Sequence, residues 1–305
     1  SPPSAMKKIR VATRKSELAL WQARHVRSLL SQSDVDFDIE IVGLTTEGDI
    51  RREERLQDIG GKGLFTQELE RALSEQKVDL AVHSMKDVPV ILDASFGVMA
   101  AGERADARDA LVGADSILTL SKGSRVGSSS GRRAAQIVRQ NRDIDIVPVR
   151  GNVGTRLEKL RRGEFDALLL ASAGLDRLGL GAEIGQRLDT EFCVPAAGQG
   201  ALAIEFLRER EDIAAIAATL CIDHVARAIE SERLVVKRLG ADCNMPLGVY
   251  CRPEDAGFCI TATLLTATGD RCLRVEKAGK DEIDLADDVA ETLLAMGAQE
   301  LIDAG

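Results

Sequence analysis

Aromatic residues and long apolar runs are scarce in this chain of 305 residues. Phe, Trp and Tyr together make up 3% of it, which leaves few platforms for stacking the bases of a nucleic acid. The net charge of −9 also disfavours a protein that is held to the phosphates of a polyanion. No apolar run approaches the roughly 18 residues that a membrane helix needs. We therefore predict that neither a nucleic acid nor a membrane is a partner.

Closely spaced metal ligands are also missing. The six cysteines form no Cys-x-x-Cys pair, and only three histidines accompany them. Zinc sites usually draw on such pairs, so we expect no metal. The first residues show no apolar segment of the secretory type. This leads us to expect reduced thiols and a cytoplasmic protein.

The chain does contain a regular alternation of strand-like and helix-like stretches. Hydrophobic residues make up 45% of it and charged residues 29%, as in a globular protein with a real core. Over residues 9–204 the alternation predicts βαβ units and parallel sheets. From about residue 221 it changes to a helix, two antiparallel strands around the turn 268–270, and a final helix over 287–302. The predicted fold class is α/β, with a small α+β domain at the C-terminal end.

Three segments share the order strand, small polar residues, arginine, helix. They are residues 12–16, 127–133 and 149–156. A helix N-terminus offers free N–H groups and a positive dipole end, and arginine adds bidentate recognition of carboxylates. The alternative is that Ser128, Ser129 and Ser130 merely cap a helix and that the arginines form a solvated surface. Because ligands of α/β sheets bind at the carboxyl ends of strands, three such segments favour one shared anionic ligand.

Two further segments carry charged groups at ends of elements. Residues 83–89, HSMKDVP, follow an apolar strand and place Lys86 beside Asp87. Asp87 could stabilise a developing cation or transfer a proton, and an ordinary turn aspartate before a proline explains the segment equally well. Residues 60–65, GGKGLF, lack the phosphate-binding P-loop pattern. They fit either a lid that carries Lys62 or a plain surface loop.

Cys243 lies in a polar turn built from Gly, Asp, Asn and Pro. It could be a core thiol, a nucleophile paired with histidine, or a point of covalent attachment. Buried thiols usually occupy apolar runs, and no histidine is near in sequence. The turn suits attachment best, because an exposed thiol on a loop can point into a cleft.

Several motifs occur along the chain in one order: ATRKSELALWQA, GGKGLF, HSMKDVP, GSSSGRR, RGNVGTRL, AGLDRLG, VPAAGQGALAIE and the Cys243 turn. In this order, and over almost the whole chain, they resemble the porphobilinogen deaminase (hydroxymethylbilane synthase) family. The resemblance implies two α/β lobes like those of periplasmic binding proteins, followed by a small α+β domain that carries the cysteine. The implied boundaries are 6–102 with 198–217 for a discontinuous first lobe, 106–193 for the second lobe and 221–305 for the third domain.

The resemblance also implies an activity. The family's enzymes are monomeric transferases of tetrapyrrole (haem) biosynthesis. They join four porphobilinogen units to a dipyrromethane primer, release ammonia each time, and finally free hydroxymethylbilane. The implied tether of the primer is a thioether to Cys243. A different class remains as the alternative, a two-lobe binding protein for a carboxylated small molecule, which would need neither Asp87 nor the cysteine-bearing domain.

The same match assigns site residues. Asp87 matches the catalytic aspartate, which holds pyrrole N–H groups and stabilises the cation left when ammonia departs. Besides Cys243, the implied cofactor-binding residues are Lys86, Ser128, Ser129, Ser130, Arg132, Arg133, Arg150, Gly151, Asn152 and Gln199. The implied substrate-binding residues are Arg14, Ser16, Gln22, Lys62, Phe65, Arg156 and Arg177. The sequence departs from the family at Asp242, beside the tether, where glycine or serine is usual.

Overall fold

The structure is a computed structural model that describes residues 7–45, 63–240 and 245–304, with residues 63–65 described by their backbone alone. The chain divides into two compact units. Unit 1 comprises Ser1–Arg104 and Ala201–Ala226, and unit 2 comprises Ala105–Gly200 and Arg227–Gly305. Among the described helices, none is both long enough and apolar enough to span a membrane.

Unit 1 is built on one five-stranded sheet. Its strands are β1 (Lys7–Arg14), β2 (Phe37–Leu44), β3 (Leu80–Ser84), β4 (Phe96–Ala101) and a late strand, β10 (Leu202–Leu207). Its helices are α1 (Glu17–Ser31), α2 (Gly63–Ser74) and α6 (Glu211–Ala218). The strand order is β2-β1-β3-β10-β4. The first three are parallel, and β10 runs antiparallel to both of its neighbours.

Helices cover both faces of this sheet. Val82 and Ile204 pack with Val26 of α1 on one face, whereas Ala81 packs with Leu69 of α2 on the other. Successive residues of a strand point to opposite faces, so β3 contributes to both cores. This burial on two sides explains why β3 begins with the continuous apolar run Leu80–Val82.

Unit 2 contains a second five-stranded sheet. Its strands are β5 (Asp109–Val112), β6 (Arg125–Gly127), β7 (Asp145–Val147), β8 (Ala167–Ala171) and β9 (Ile184–Arg187). The helices beside them are α3 (Gly131–Gln140), α4 (Val153–Arg161) and α5 (Ser172–Arg177). The strand order is β7-β6-β8-β5-β9. Here β6, β7 and β8 are parallel, and β5 is antiparallel to both of its neighbours.

A separate antiparallel sheet completes unit 2. It consists of β11 (Leu247–Glu254), β12 (Gly257–Leu265) and β13 (Cys272–Gly279) in that order. The accompanying helices are α7 (Asp223–Leu239), whose residues from Arg227 onward belong to this unit, α8 (Glu282–Ala295) and α9 (Ala298–Ala304). Val249 and Ile260 of the sheet pack with Val235 of α7 and Val289 of α8 in one core.

The fold-class prediction is confirmed, since the chain forms two mixed α/β sheets and a small separate sheet. One helix prediction was wrong. The segment predicted as a single helix over 287–302 is two helices, separated at Gly297, where φ is +100°. This left-handed conformation suits glycine and ends a helix. The strand β11 was missed, because Gly248 and Pro253 weaken its strand-like pattern. The three-domain boundaries stay a prediction.

Candidate active site

Asp87 lies at the carboxyl end of β3 in unit 1. The strand ends at Ser84, and a short 3-10 turn, Met85–Asp87, follows it. The buried Met85 fixes this turn, because its N–H donates to the carbonyl of Ala201 at 2.9 Å. Asp87 itself is half-buried. Within the described residues, no hydrogen bond or ion pair engages its carboxylate. The carboxylate is therefore available to a ligand.

Gln22, a predicted substrate contact, lies against the strand that leads to Asp87. Its side chain is buried, and Nε2 donates to Ser84 Oγ at 3.0 Å. The Ser84 hydroxyl also lies 3.3 Å from Gln22 Oε1. A role in holding the end of β3 is thus visible for Gln22. Its contact with substrate remains a prediction.

The first predicted anion-binding segment is formed at the end of β1. Ser16 is the N-cap of α1, and its hydroxyl accepts from the N–H of Ala19 at 3.3 Å. Thr13 is fully buried and donates to the carbonyl of Arg14 at 3.0 Å. These bonds fix the backbone on each side of Arg14, which is half-buried. The end of β1 and the start of α1 therefore meet as predicted.

The second segment joins β6 to α3 in unit 2. Ser130 is the N-cap of α3, and its hydroxyl accepts from the N–H of Arg133 at 3.1 Å. Ser129 Oγ donates to the carbonyl of Val149 at 2.6 Å and accepts from its N–H at 3.0 Å. The capping alternative is therefore right for Ser130, whereas Ser129 links the second segment to the third. Binding of a ligand by these serines stays a prediction.

Arg132 and Arg133 are buried side chains, so the alternative of a solvated arginine surface is wrong for these two residues. Both contact the buried carboxylate of Asp109. Arg132 Nη1 lies 2.7 Å from Asp109 Oδ2, and Arg133 Nε lies 2.7 Å from Oδ1. Arg132 also donates to the carbonyl of Val194 at 2.8 Å. One carboxylate facing two guanidiniums leaves one positive charge in excess.

Asp109 is a site residue that sequence reasoning missed. Burial opposes its ionisation, but the charges and hydrogen bonds of the two arginines outweigh burial and hold the pKa of Asp109 well below its usual range. Gln199 completes this cluster. Its Nε2 donates to Asp109 Oδ1 at 3.0 Å, and its Oε1 accepts from Arg132 at 3.2 Å. A lone acid next to the apolar stretch Ala110–Val112 was the available signal.

The third segment surrounds Gly151 and Asn152 at the start of α4. Asn152 Oδ1 caps the helix by accepting from the N–H of Thr155 at 2.8 Å. Gly151 has φ of +107°, and a Cβ there would lie 2.8 Å from Thr155 Cγ2. Arg156 Nε donates to the carbonyl of Gly151 at 2.8 Å. Arg150 and Arg156 are both half-buried. The turn requires glycine, and one arginine precedes it in sequence while the other donates to its carbonyl.

Arg177, at the end of α5, donates to the carbonyl of Gly200 at 2.9 Å. Burial lowers the pKa of Arg177 to about 10, against the opposing effect of Asp176. A desolvated guanidinium gains stability from a nearby anion, which fits the predicted contact with a carboxylate.

Some predicted site residues cannot be placed. Cys243 and Lys62 lie outside the described residues, and only the backbone of Phe65 is described, at the start of α2.

Lys86 is half-buried in the same turn as Asp87. Among the described residues, no group of His, Cys, Asp and Glu is arranged to hold a metal ion.

Comparison with known proteins decides the family. A family model described as "Porphobilinogen deaminase, dipyromethane cofactor binding domain" matches residues 9–215. A second, described as "Porphobilinogen deaminase, C-terminal domain", matches residues 226–295. The chain belongs to the porphobilinogen deaminase family. The predicted resemblance is thereby confirmed, and the predicted cofactor is confirmed by the domain that residues 9–215 match.

Curated relatives of this family match this chain over most of their length. A porphobilinogen deaminase of Paraburkholderia phytofirmans is 44% identical over 301 residues, covering 96% of this chain and 88% of that protein. One of Thiobacillus denitrificans is 44% identical over 303 residues, covering 98% and 99%. Among solved structures, the Escherichia coli aliphatic sulphonate binding protein SsuA matches at 14% identity with a TM-score of 0.44, covering 95% and 87%. Membership in the family favours the enzyme over the binding-protein alternative.

Proposed function

We propose that this protein is a porphobilinogen deaminase, a transferase that joins four porphobilinogen units to a covalently held dipyrromethane and releases ammonia at each step. The product would be hydroxymethylbilane. The observation that carries the proposal is the match of both family domains over residues 9–215 and 226–295. The half-buried Asp87 at the end of β3 supports it. We further propose a cytoplasmic monomer.

The residues of unit 2 fit a dipyrromethane. Its pyrroles bear acetate and propionate groups, so it is a polycarboxylate. The cluster of Asp109, Arg132 and Arg133 has one positive charge in excess. Guanidiniums are the preferred bidentate partners of carboxylates. We propose that the cofactor is held by Cys243, Lys86, Ser128, Ser129, Ser130, Arg132, Arg133, Arg150, Gly151, Asn152 and Gln199.

When bound, the dipyrromethane supplies the pyrrole carbon to which the first substrate unit is joined. The chain's own residues do the rest. The Asp87 carboxylate accepts hydrogen bonds from pyrrole N–H groups and stabilises the positive charge that develops on the substrate as ammonia leaves. Lys86, next to it in the same turn, adds positive charge for the carboxylates of the pyrrole chain. The proposed substrate contacts are Arg14, Ser16, Gln22, Lys62, Phe65, Arg156 and Arg177.

The experiment is Asp87→Ala, with Asp93→Asn as control. Asp93 is an exposed carboxylate in the same unit. We expect Asp87→Ala to slow porphobilinogen consumption by about 100-fold or more, because a charge that stabilises the transition state is lost. The intact mass of Asp87→Ala should show that dipyrromethane is still attached. The added mass of the cofactor should be absent from Cys243→Ser. A wild-type protein that neither carries the cofactor nor releases ammonia from porphobilinogen would contradict the proposal.

A further inference from the structure

Unit 1 contains a buried ionisable pair outside the groups assigned above. His83 Nε2 lies 2.9 Å from Glu205 Oε1. The side chains are 5% and 0% exposed. In the antiparallel ladder His83 faces Ala203, and Glu205 faces Ala81. His83 and Glu205 are therefore diagonal neighbours on one face of the sheet, within reach of long side chains.

The pair is costly to bury and so calls for an explanation. Glu205 Oε2 is buried with no hydrogen-bond partner among the described residues. A buried polar atom without a partner costs roughly 1–3 kcal/mol. The nearby Glu70 on α2 is affected as well, since burial and then the negative charge of Glu205 raise the pKa of Glu70. Apolar side chains would fill this core at lower cost.

The position of the pair relates it to Asp87. His83 is the second-last residue of β3, and the turn Met85–Asp87 begins two residues later. On the opposite face, Ser84 is held by Gln22 of α1. Along the edge, the N–H of Met85 is held by Ala201. The last two side chains of the strand are thus fixed from both faces, immediately before the turn that carries Asp87.

We propose that the His83–Glu205 pair is a positioning element that fixes the end of β3 and thereby the place of the Asp87 carboxylate. The proposal rests on the proposed function, in which Asp87 assists the reaction. It assigns the pair no contact with substrate or cofactor. A misplacement of a catalytic group by about 1 Å is sufficient to slow a reaction by about 100-fold. The stability that is lost by burying the pair is therefore balanced by the activity that a correctly placed Asp87 provides.

The test compares two changes at one position in the holoenzyme. Glu205→Gln keeps a hydrogen-bonding partner for His83, whereas Glu205→Leu removes it at similar volume. We expect Glu205→Leu to lower kcat about 10- to 100-fold with KM nearly unchanged, because only the position of Asp87 is altered. Glu205→Gln should restore kcat to within about 3-fold of the wild-type value, since the hydrogen bond and not the charge sets the position.

The matched control is Asp79→Leu, at the other end of the same strand. Asp79 is a buried carboxylate just before β3 that accepts from the Arg10 N–H at 2.8 Å and from Arg210 at 3.3 Å. The substitution Asp79→Leu should lower the unfolding temperature without changing kcat. If Glu205→Leu fails to fold, the double change His83→Leu/Glu205→Leu removes both polar groups and avoids an unpaired one. The double variant should fold and still turn over slowly.

The outcomes separate this inference from the proposed function. Folded, cofactor-bearing Glu205→Leu or double-variant protein with wild-type kcat would overturn the positioning role, even if Asp87→Ala is inactive. A fall in kcat of the same size in Asp79→Leu would also overturn it, because general loosening of unit 1 would then explain the loss. An active Asp87→Ala would instead contradict the proposed function.

Discussion

The two five-stranded sheets share one strand order and differ in the charged residues that this order buries. In each sheet the fourth strand runs antiparallel to its neighbours: β10 in unit 1 and β5 in unit 2. Each begins opposite the last residue of the third strand, with Leu202 facing Ser84 and Asp109 facing Ala171. Each also carries one fully buried acid, Glu205 or Asp109.

The partners of these acids give the two sheets different properties. Glu205 is the fourth residue of its strand, and its carboxylate pairs with a single histidine, His83. Asp109 is the first residue of its strand and faces the permanent charges of Arg132 and Arg133. The cluster around Asp109 in unit 2 therefore has an excess of positive charge, which fits the proposed polycarboxylate cofactor. In unit 1, the turn after the third strand instead carries the half-buried carboxylate of Asp87. The same strand order can thus carry opposite charges near the ends of its strands, depending on a few side chains.

The largest expected effect is that of Asp109→Ala. The change leaves two buried guanidiniums without a counter-charge and should lower the free energy of unfolding by about 3–5 kcal/mol. A urea titration measures it. Glu183→Ala, which breaks the exposed pair of Glu183 with Arg161, is the control and should cost less than about 1 kcal/mol. Equal costs for the two changes would show that the Asp109 cluster is an ordinary ion pair.

A smaller effect on stability is expected for Arg133→Met. This change removes the surplus charge and leaves the contact of Arg132 with Asp109 at 2.7 Å in place. Replacing one cation by an apolar chain of similar length should change stability little. It should weaken the retention of a polycarboxylate, so that the fraction of molecules carrying dipyrromethane falls. If intact mass shows that every molecule of Arg133→Met carries dipyrromethane, Arg133 is not one of the cofactor contacts.

The smallest expected effect is that of Glu70→Gln in unit 1. The pKa of Glu70 is raised above its ordinary value by burial, so its ionised form destabilises the fold as pH rises through the raised pKa. Glutamine cannot ionise, and the variant should be more stable at neutral pH by less than about 1 kcal/mol, given its partial exposure. The difference should disappear in acid, below the ordinary carboxyl pKa.

Asp109 has the opposite pH dependence. Its lowered pKa contributes stability that is present above the ordinary aspartate value of about 3.9 and is lost as pH falls toward the folded-state value. Acid should therefore weaken unit 2 through Asp109 while it relieves unit 1 through Glu70. A Glu70→Gln variant that loses stability at neutral pH would contradict the sign of this contrast.

Much of the fold could be predicted from the sequence, because both large sheets are built from apolar strands and amphipathic helices in alternation. The strand over 37–44 and the strand over 167–171 have the predicted bounds. Periodicity cannot show which late strand completes which sheet, and the place of β10 between β3 and β4 depends on long-range pairing. The final helix was predicted as continuous because Gly297 alone is a weak signal for a break.

The candidate site was predicted in part. The segments around Arg14, Arg132 and Gly151 are visible as strand ends followed by helix starts. Their buried counter-charges are not, because no local pattern tells which acid faces which arginine. Asp109 and Glu205 each stand as a lone acid in an apolar strand. Such a residue indicates that it has a buried partner, but the sequence does not show which residue that partner is.

The most direct test of the central claim is the intact mass of the protein after brief exposure to a limited amount of porphobilinogen. The claim is that Cys243 holds the growing pyrrole chain while Asp87 assists each condensation. The wild-type protein should show the cofactor-bearing mass and a ladder of up to four heavier species, each larger by one porphobilinogen less ammonia. Asp87→Ala should show the cofactor-bearing mass alone. A bare polypeptide mass for the wild type, or a full ladder in Asp87→Ala, would contradict the claim.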